Sequence, residues 1–326
     1  MRLKNRFRYL LILPLLLLCF TAQAKEVSVP DVDKGFDDPI PQGEFDELFI
    51  PLKRVQNLFL IEARVDSLVG NFILDTGAPH LVLNKTYFPG GRMAEGNAAS
   101  YGITGGGNTV LNTTIDSLVL QDMFYTNVDA DIVNLGHLED ARGVKILGLL
   151  GTSLFKEVEM EIDLQHNLLI LYKLDKEGNR IVGYNRLAQP DLNVPIDIVN
   201  NIIFMDVYAA EKKLRFCLDT GAERNVLSNM VSNKILKHFT LAANGSLAGS
   251  GGSNQLVLNG QMDSVVIEGK SFVAMPFILT NLNYLQLVYE TTINGILGYD
   301  YLSKGIVTVN QKKKQLSMYF YPVVKE

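Results

Sequence analysis

The chain of 326 residues is poor in cysteine, histidine and net positive charge. Each shortage closes off a class of function. Of its two cysteines, Cys19 lies in an apolar segment near the start, and Cys217 is alone in the remainder. No intrachain disulfide is expected, so the fold must rest on core packing. Cys217 stands two residues before an aspartate in an apolar stretch and reads as a small buried side chain. The four histidines are His80, His137, His166 and His238, and their spacing matches no metal motif. Lys and Arg number 30 against 35 Asp and Glu, a formal charge of −5. Such a balance gives no electrostatic basis for nucleic-acid binding. The Gly-rich stretches Gly105–Thr109 and Gly249–Ser253 lack the Lys-Ser/Thr that would follow in a phosphate loop. No cofactor is expected.

Long apolar runs are also lacking. The run Tyr9–Phe20 is shorter than the roughly 20 residues a spanning helix needs. It follows Arg2, Lys4, Arg6 and Arg8 and precedes Ala22-Gln23-Ala24, the three-part pattern of a cleaved secretory signal over residues 1–24. Its removal would take the charge to −9. Lipid attachment at Cys19 is disfavoured because Leu18 stands where a small residue is required. The expectation is an exported protein, periplasmic or extracellular, with peripheral association with a membrane left open. Residues 25–48 are acidic, with Pro30, Pro39 and Pro41, and read as an extended or disordered leader. An inhibitory propeptide facing carboxylates should be basic, and this segment has only Lys25 and Lys34.

What the chain has is a repeat. Phe72–Asn84, FILDTGAPHLVLN, is answered by Phe216–Asn229, FCLDTGAERNVLSN. Pro51 and Pro195 precede Asp75 and Asp219 by 24 residues, and Gly105 and Gly249 follow them by 30. Ile146-Leu147-Gly148-x-x-Gly151 is matched by Ile293-Asn294-Gly295-x-x-Gly298. Closing strand pairs at Val158–Ile162 with Leu168–Tyr172, and at Ile306–Val309 with Gln315–Tyr319, complete two copies of one β-rich unit. The units are placed at residues 49–174 and 194–326, joined by a linker over 175–193. Duplicated units pair most simply about a pseudo-two-fold axis, which would bring the two Asp loops together. Ser228–Phe239, with apolar residues at Val231, Ile235, Leu236 and Phe239, reads as one amphipathic helix.

The paired hydrophobic-Asp-Thr-Gly-Ala motifs, each followed by Ile-x-Gly-x-x-Gly, resemble the pepsin/retropepsin family of aspartic proteases over nearly the whole mature chain. The short units and the terminal Ala are retropepsin-like; the fusion in one chain is pepsin-like. The resemblance implies an all-β, bilobal acid-protease fold of two β-barrel-like lobes with short helices and the active site between them. It implies an aspartic endopeptidase with a polypeptide substrate and no need of oligomerisation.

Two carboxylates sharing one proton supply both the base and the acid of peptide hydrolysis. Ionised together at about 3 Å they would repel by roughly 5 kcal/mol at an effective dielectric near 20, so one stays protonated. On this reading Asp75 and Asp219 are catalytic. Gly77 and Gly221 allow close approach and direct backbone N–H groups at the carboxylates. Thr76 and Thr220, by resemblance, bond the opposite loop. Ala78 and Ala222 offer no hydroxyl to the ionised dyad, which argues for a pH optimum nearer neutral than pepsin's. Tyr101-Gly102 resembles the flap's Tyr-Gly, with Gly105 in the same Gly-rich hairpin tip; the second copy has Gly245 in the place of Tyr101. His80 and Arg224, five residues after each Asp, are subsite candidates, though a solvated edge position is the expectation for both. The alternative is an inactive peptide-binding or scaffold protein that kept the fold; the two intact Asp-Thr-Gly triplets favour the enzyme.

Overall fold

In the computed structural model, the described residues are 37–93, 99–101, 107–182, 184–248 and 254–322. The signal segment and Cys19 lie outside them. The first half contains β1 (Glu47–Pro51), β2 (Lys53–Val55), β3 (Leu58–Val65), β4 (Leu68–Leu74), β5 (Leu81–Asn84), β6 (Arg92–Met93), β7 (Ala99–Tyr101), β8 (Gly107–Thr109), β9 (Leu111–Leu120) and β10 (Met123–Val133). Helix α1 (Gly136–Arg142), β11 (Gly148–Leu150), a 3-10 turn at Thr152–Phe155, β12 (Val158–Asp163) and β13 (Leu168–Lys173) follow.

The second half repeats the order with β14 (Leu192–Pro195), β15 (Asp197–Val199), β16 (Ile202–Ala209), β17 (Lys212–Leu218), β18 (Val226–Ser228) and α2 (Asn233–Leu236). After these come β19 (Phe239–Ala248), β20 (Asn254–Ile267), β21 (Lys270–Thr280), α3 (Asn283–Val288), β22 (Gly295–Leu297), α4 (Tyr299–Leu302), β23 (Gly305–Asn310) and β24 (Gln315–Phe320).

Each half closes on itself. In the first, hydrogen bonding runs β3-β4-β11-β5-β10-β9 and returns from β9 to β3. In the second it runs β16-β17-β22-β18-β21-β20 and returns to β16. Closure removes the exposed strand edges a flat sheet would leave. The protein is thus all-β and bilobal, with the two lobes built from duplicated units. Among the described residues no helix is long and apolar enough to cross a membrane.

Within each lobe the strand carrying Gly148 or Gly295 lies between the strands that enter and leave the Asp loop. β11 runs parallel to β4, with Gly148 opposite Phe72, and antiparallel to β5. A Cβ on Gly148 would lie 2.1 Å from the Val82 carbonyl oxygen, and one on Gly295 would lie 2.1 Å from Phe216 Cε1. The aromatic ring of the Asp-bearing strand covers the glycine, so no larger residue fits.

A third sheet joins the lobes in the order β1-β13-β12-β23-β24-β14. Its centre is the antiparallel pair β12 and β23, with Met160 opposite Val309 and Ile162 opposite Val307. These side chains are buried in one apolar cluster that continues into both lobes. On this sheet Glu161 has no exposed surface, and its carboxylate meets Arg186 and, at 3.4 Å, Arg180. Arg180 also pairs with Glu159 at 2.6 Å and lies 3.6 Å over the Tyr172 ring. Both arginines belong to the linker, which is therefore fastened to the shared sheet.

Two sequence expectations require correction. The stretch Ser228–Phe239 is not one helix: Ser228 ends β18, α2 covers only Asn233–Leu236, and Phe239 begins β19 opposite Met262. Apolar spacing alone did not distinguish a single helical turn from a helix, and pairing with β20 claimed the backbone at Phe239. The leader also joins the fold before residue 49. Gln42 bridges to Phe124, and Phe45 and Leu48 are buried against the core.

Candidate active site

Asp75 and Asp219 emerge from β4 and β17 into loops that meet between the lobes. The backbone N–H of Asp75 donates to Leu150 O at 3.1 Å and that of Asp219 to Leu297 O at 3.0 Å, so β11 and β22 hold each loop at its root. Behind the carboxylates the two threonines interlock. Thr76 N–H donates to Thr220 Oγ1 and Thr220 N–H to Thr76 Oγ1, both at 3.0 Å. Thr76 Oγ1 donates to Leu218 O at 2.9 Å and Thr220 Oγ1 to Leu74 O at 2.8 Å. Both threonines are buried, so every one of these polar groups needs its partner.

In front of this grip the glycines face the opposing aspartates. A Cβ on Gly77 would lie 2.6 Å from Asp219 Cγ, and one on Gly221 would lie 2.7 Å from Asp75 Cγ. Gly77 N–H donates to Asp75 Oδ1 at 2.9 Å and Gly221 N–H to Asp219 Oδ1 at 2.8 Å. Burial, the neighbouring Asp219 charge and a hydrogen bond to Asp219 hold the Asp75 carboxyl well above the usual carboxylate range. Burial raises Asp219 too, but the hydrogen bond from Asp75 and the N–H groups of Gly221, Ala222 and Gly77 act in the opposite direction. The arrangement can therefore hold one proton between the two carboxyls, a property of the pair. Ala78 is buried and Ala222 is partly buried beside the dyad.

The remaining candidates are placed differently. His80 is buried, with Nε2 2.7 Å from Asp131 Oδ2, and Asp131 Oδ1 accepts from Asn112 Nδ2 at 2.7 Å. This corrects the solvated edge position expected for it. β10 runs parallel to β5 and brings Asp131 alongside, a neighbour fifty-one residues away that sequence spacing could not show. Arg224 is partly exposed and donates through Nε to Asp300 Oδ2 at 3.0 Å, at the start of α4.

Tyr101 ends β7 and lies opposite Gly107 in the antiparallel pair β7–β8. Gly102 and Gly105 lie outside the described residues. The backbone of β7 comes against α3 of the second lobe. The second lobe's counterpart is built otherwise, since Gly245 is inside the long strand β19, opposite Val257. Cys217 is the one free cysteine among the described residues, and it is buried beside Phe204 and Ile296. Burial pushes its thiol up, consistent with a packing role.

Three cross-lobe contacts had no sequence signal of chemistry. Arg142 Nη2 lies 2.6 Å from Glu223 Oε2, Tyr289 OH donates to Gly77 O at 2.8 Å, and Arg54 Nη2 donates to Tyr299 OH at 2.6 Å. The repeat itself could have pointed to the first two: Arg142 and Tyr289 both stand six residues ahead of the paired glycines Gly148 and Gly295.

Residues 205–301, which include the second Asp-Thr-Gly-Ala motif, match the family model described as aspartyl protease. The match lies within the second unit and agrees with the resemblance of the paired motifs to the aspartic proteases. Among solved structures the chain is similar to the aspartic proteinase from Irpex lacteus, at 11% identity and a TM-score of 0.49, over 84% of this chain and 97% of that one. No curated protein matches the chain.

Proposed function

We propose that the protein is an exported aspartic endopeptidase that hydrolyses peptide bonds with a water held between Asp75 and Asp219. The observation that carries this reading is the reciprocal approach of each glycine to the opposite aspartate, with the interlocked threonines behind it. Such a site can hold two carboxyls around one proton and has no evident structural use, because a raised carboxylate opposes folding at neutral pH.

In the proposed reaction Asp219, ionised, takes a proton from the water as it attacks the scissile carbonyl. Asp75, protonated, donates to the carbonyl oxygen. The proton that Asp219 took then passes to the leaving amine as the C–N bond breaks, while a hydroxyl of the tetrahedral gem-diol returns a proton to Asp75, so that the pair again holds one proton. The Gly77 and Gly221 N–H groups keep the carboxylates aimed, so little reorganisation is needed when charge moves. An extended substrate would lie between the lobes beneath the β7–β8 pair, making main-chain hydrogen bonds. Export rests on the signal pattern of residues 1–24 and not on the fold.

The test is incubation of mature protein with a mixed peptide library across pH, beside Asp75→Asn and Asp219→Asn. Cleavage by the wild type and loss of at least about a thousandfold in each variant is expected. Cleavage surviving both substitutions would remove the dyad mechanism; peptide binding without cleavage would favour a scaffold.

A further inference from the structure

Helices α1 and α3 are equivalent and end alike. Asn134 Oδ1 accepts from Gly136 N–H at 3.0 Å, and Asn281 Oδ1 accepts from Asn283 N–H at 2.8 Å, so each helix starts on the same asparagine turn. Leu135 and Leu282 follow with φ of −107° and −105°. At the far ends Gly143 and Glu290 take the left-handed conformation, with φ of 63° and 50°. The residues just before them, Arg142 and Tyr289, therefore occupy equivalent places. Each crosses the pseudo-two-fold axis to the Asp loop of the other lobe, yet the contacts differ in kind. Arg142 forms an ion pair with the Glu223 side chain, whereas Tyr289 gives a neutral hydrogen bond to the Gly77 backbone.

We propose that Tyr289 is a positioning residue for the dyad that acts through Gly77, and that Arg142 is its counterpart on the opposite loop. This rests on the reading of Asp75 and Asp219 as a proton-sharing pair. Gly77 is the shared element of that pair: its N–H bonds the Asp75 carboxylate and also acts on Asp219. With no side chain, its backbone has the widest freedom to turn that N–H away. Tyr289 removes the freedom by holding the carbonyl of the same residue at 2.8 Å.

The hold is firm because the ring is buried in the second lobe with Leu282, Leu285, Ile293 and Ile296. The tether thus ties the first lobe's loop to the second lobe's core. Burial raises the phenol well above its ordinary value, so it remains a neutral donor wherever the dyad works. The two loops are consequently fixed by unlike means, and the dyad is not symmetric even where its own residues are.

The experiment uses the full mature chain as wild type, Tyr289→Phe and Tyr208→Phe, the last being the same chemical change at an exposed strand position. Three quantities are read: kcat and KM on a cleaved peptide, titration of ¹³C-labelled aspartate carboxyls by NMR, and the melting temperature. Tyr289→Phe keeps the ring and should melt within a few degrees of wild type. It should lower kcat about three- to tenfold, the range of one neutral hydrogen bond, with KM changed less than about twofold. The dyad titration should move by about half a pKa unit or more, and Tyr208→Phe should change none of these.

A Tyr289→Phe dyad that titrates as in wild type overturns the proposal, whatever its melting temperature. So does a fall in KM with kcat unchanged, which would make Tyr289 an occupant of the substrate's place. If the wild type cleaves no peptide, the peptidase reading fails, and the titration still decides the role of Tyr289.

Discussion

Thr76 and Thr220 exchange hydrogen bonds across the lobe boundary, each hydroxyl accepting the other's backbone N–H at 3.0 Å and donating to the carbonyl just ahead of the other's aspartate. Neither lobe can complete this arrangement alone. Thr220→Val should leave Thr76 N–H and Leu74 O unpaired in a buried place, at about 1–3 kcal/mol each, or roughly 2–6 kcal/mol in all. Urea unfolding measures it, and a loss under about 1 kcal/mol would show that the grip is dispensable. The double variant with Thr76→Val should cost less than the sum of the two, because both remove the same unit.

The glycines carry a geometric prediction. Gly77→Ala places a methyl 2.6 Å from the centre of the Asp219 carboxyl, which must then shift. Displacement of one carboxylate by about 1 Å is enough to lower turnover by roughly a hundredfold or more. The measurement is kcat for Gly77→Ala with far-UV circular dichroism beside it. Normal kcat with a normal spectrum would contradict the close approach.

Proton storage on the dyad links activity to stability. Asp75 is raised, so the folded state binds a proton that the unfolded chain releases at its ordinary carboxylate value. The stabilising effect is full below that value and is lost as pH rises through the raised one. Asp75→Asn, which cannot ionise, should therefore melt higher than wild type at pH 7, and the gap should narrow toward pH 3. A gap that widens on acidification would contradict a raised Asp75 carboxyl. The same raised pair, beside Ala78 and Ala222 rather than hydroxyl residues, should give a pH–rate profile peaking above about 3. Ala78→Ser should move the acid limb downward.

The sheet between the lobes predicts a contrast between two ion pairs. Glu161 is fully buried with Arg180 and Arg186 from the linker, and Tyr172 OH donates to it at 3.1 Å. Glu161→Ala leaves Arg186 without its carboxylate and Arg180 with Glu159 alone, and should cost about 3–5 kcal/mol. Lys213 and Asp206 are 2.7 Å apart but largely exposed, so Lys213→Ala should cost less than about 1 kcal/mol. Equal costs for the two in urea unfolding would overturn the view that the linker fastens the shared sheet.

Much of the architecture was legible because it was written twice. The strands from Thr109 to Tyr172 and the glycines Gly148 and Gly295 followed from apolar patterning and matched offsets, and the structure shows β9 to β13 there. The helix expected over Ser228–Phe239 failed because its apolar spacing also suits one turn between two strands. His80 was misplaced for a similar reason, since its partner Asp131 arrives only when β10 lies beside β5.

By itself the sequence determined that two like units exist and that each delivers an aspartate on a Thr-Gly-Ala turn, because local patterning and repetition are properties of the chain alone. It also determined that neither disulfides nor a spanning helix among the later residues would define the fold. Only the tertiary structure decided that Arg142 and Tyr289, different residues at one repeated position, both cross to the opposite loop. It alone joined β12 to β23 in one sheet and buried the two carboxyls against each other, which raises both. Such contacts depend on how the two halves face each other, and a long-range pairing leaves no periodicity in the sequence to be read.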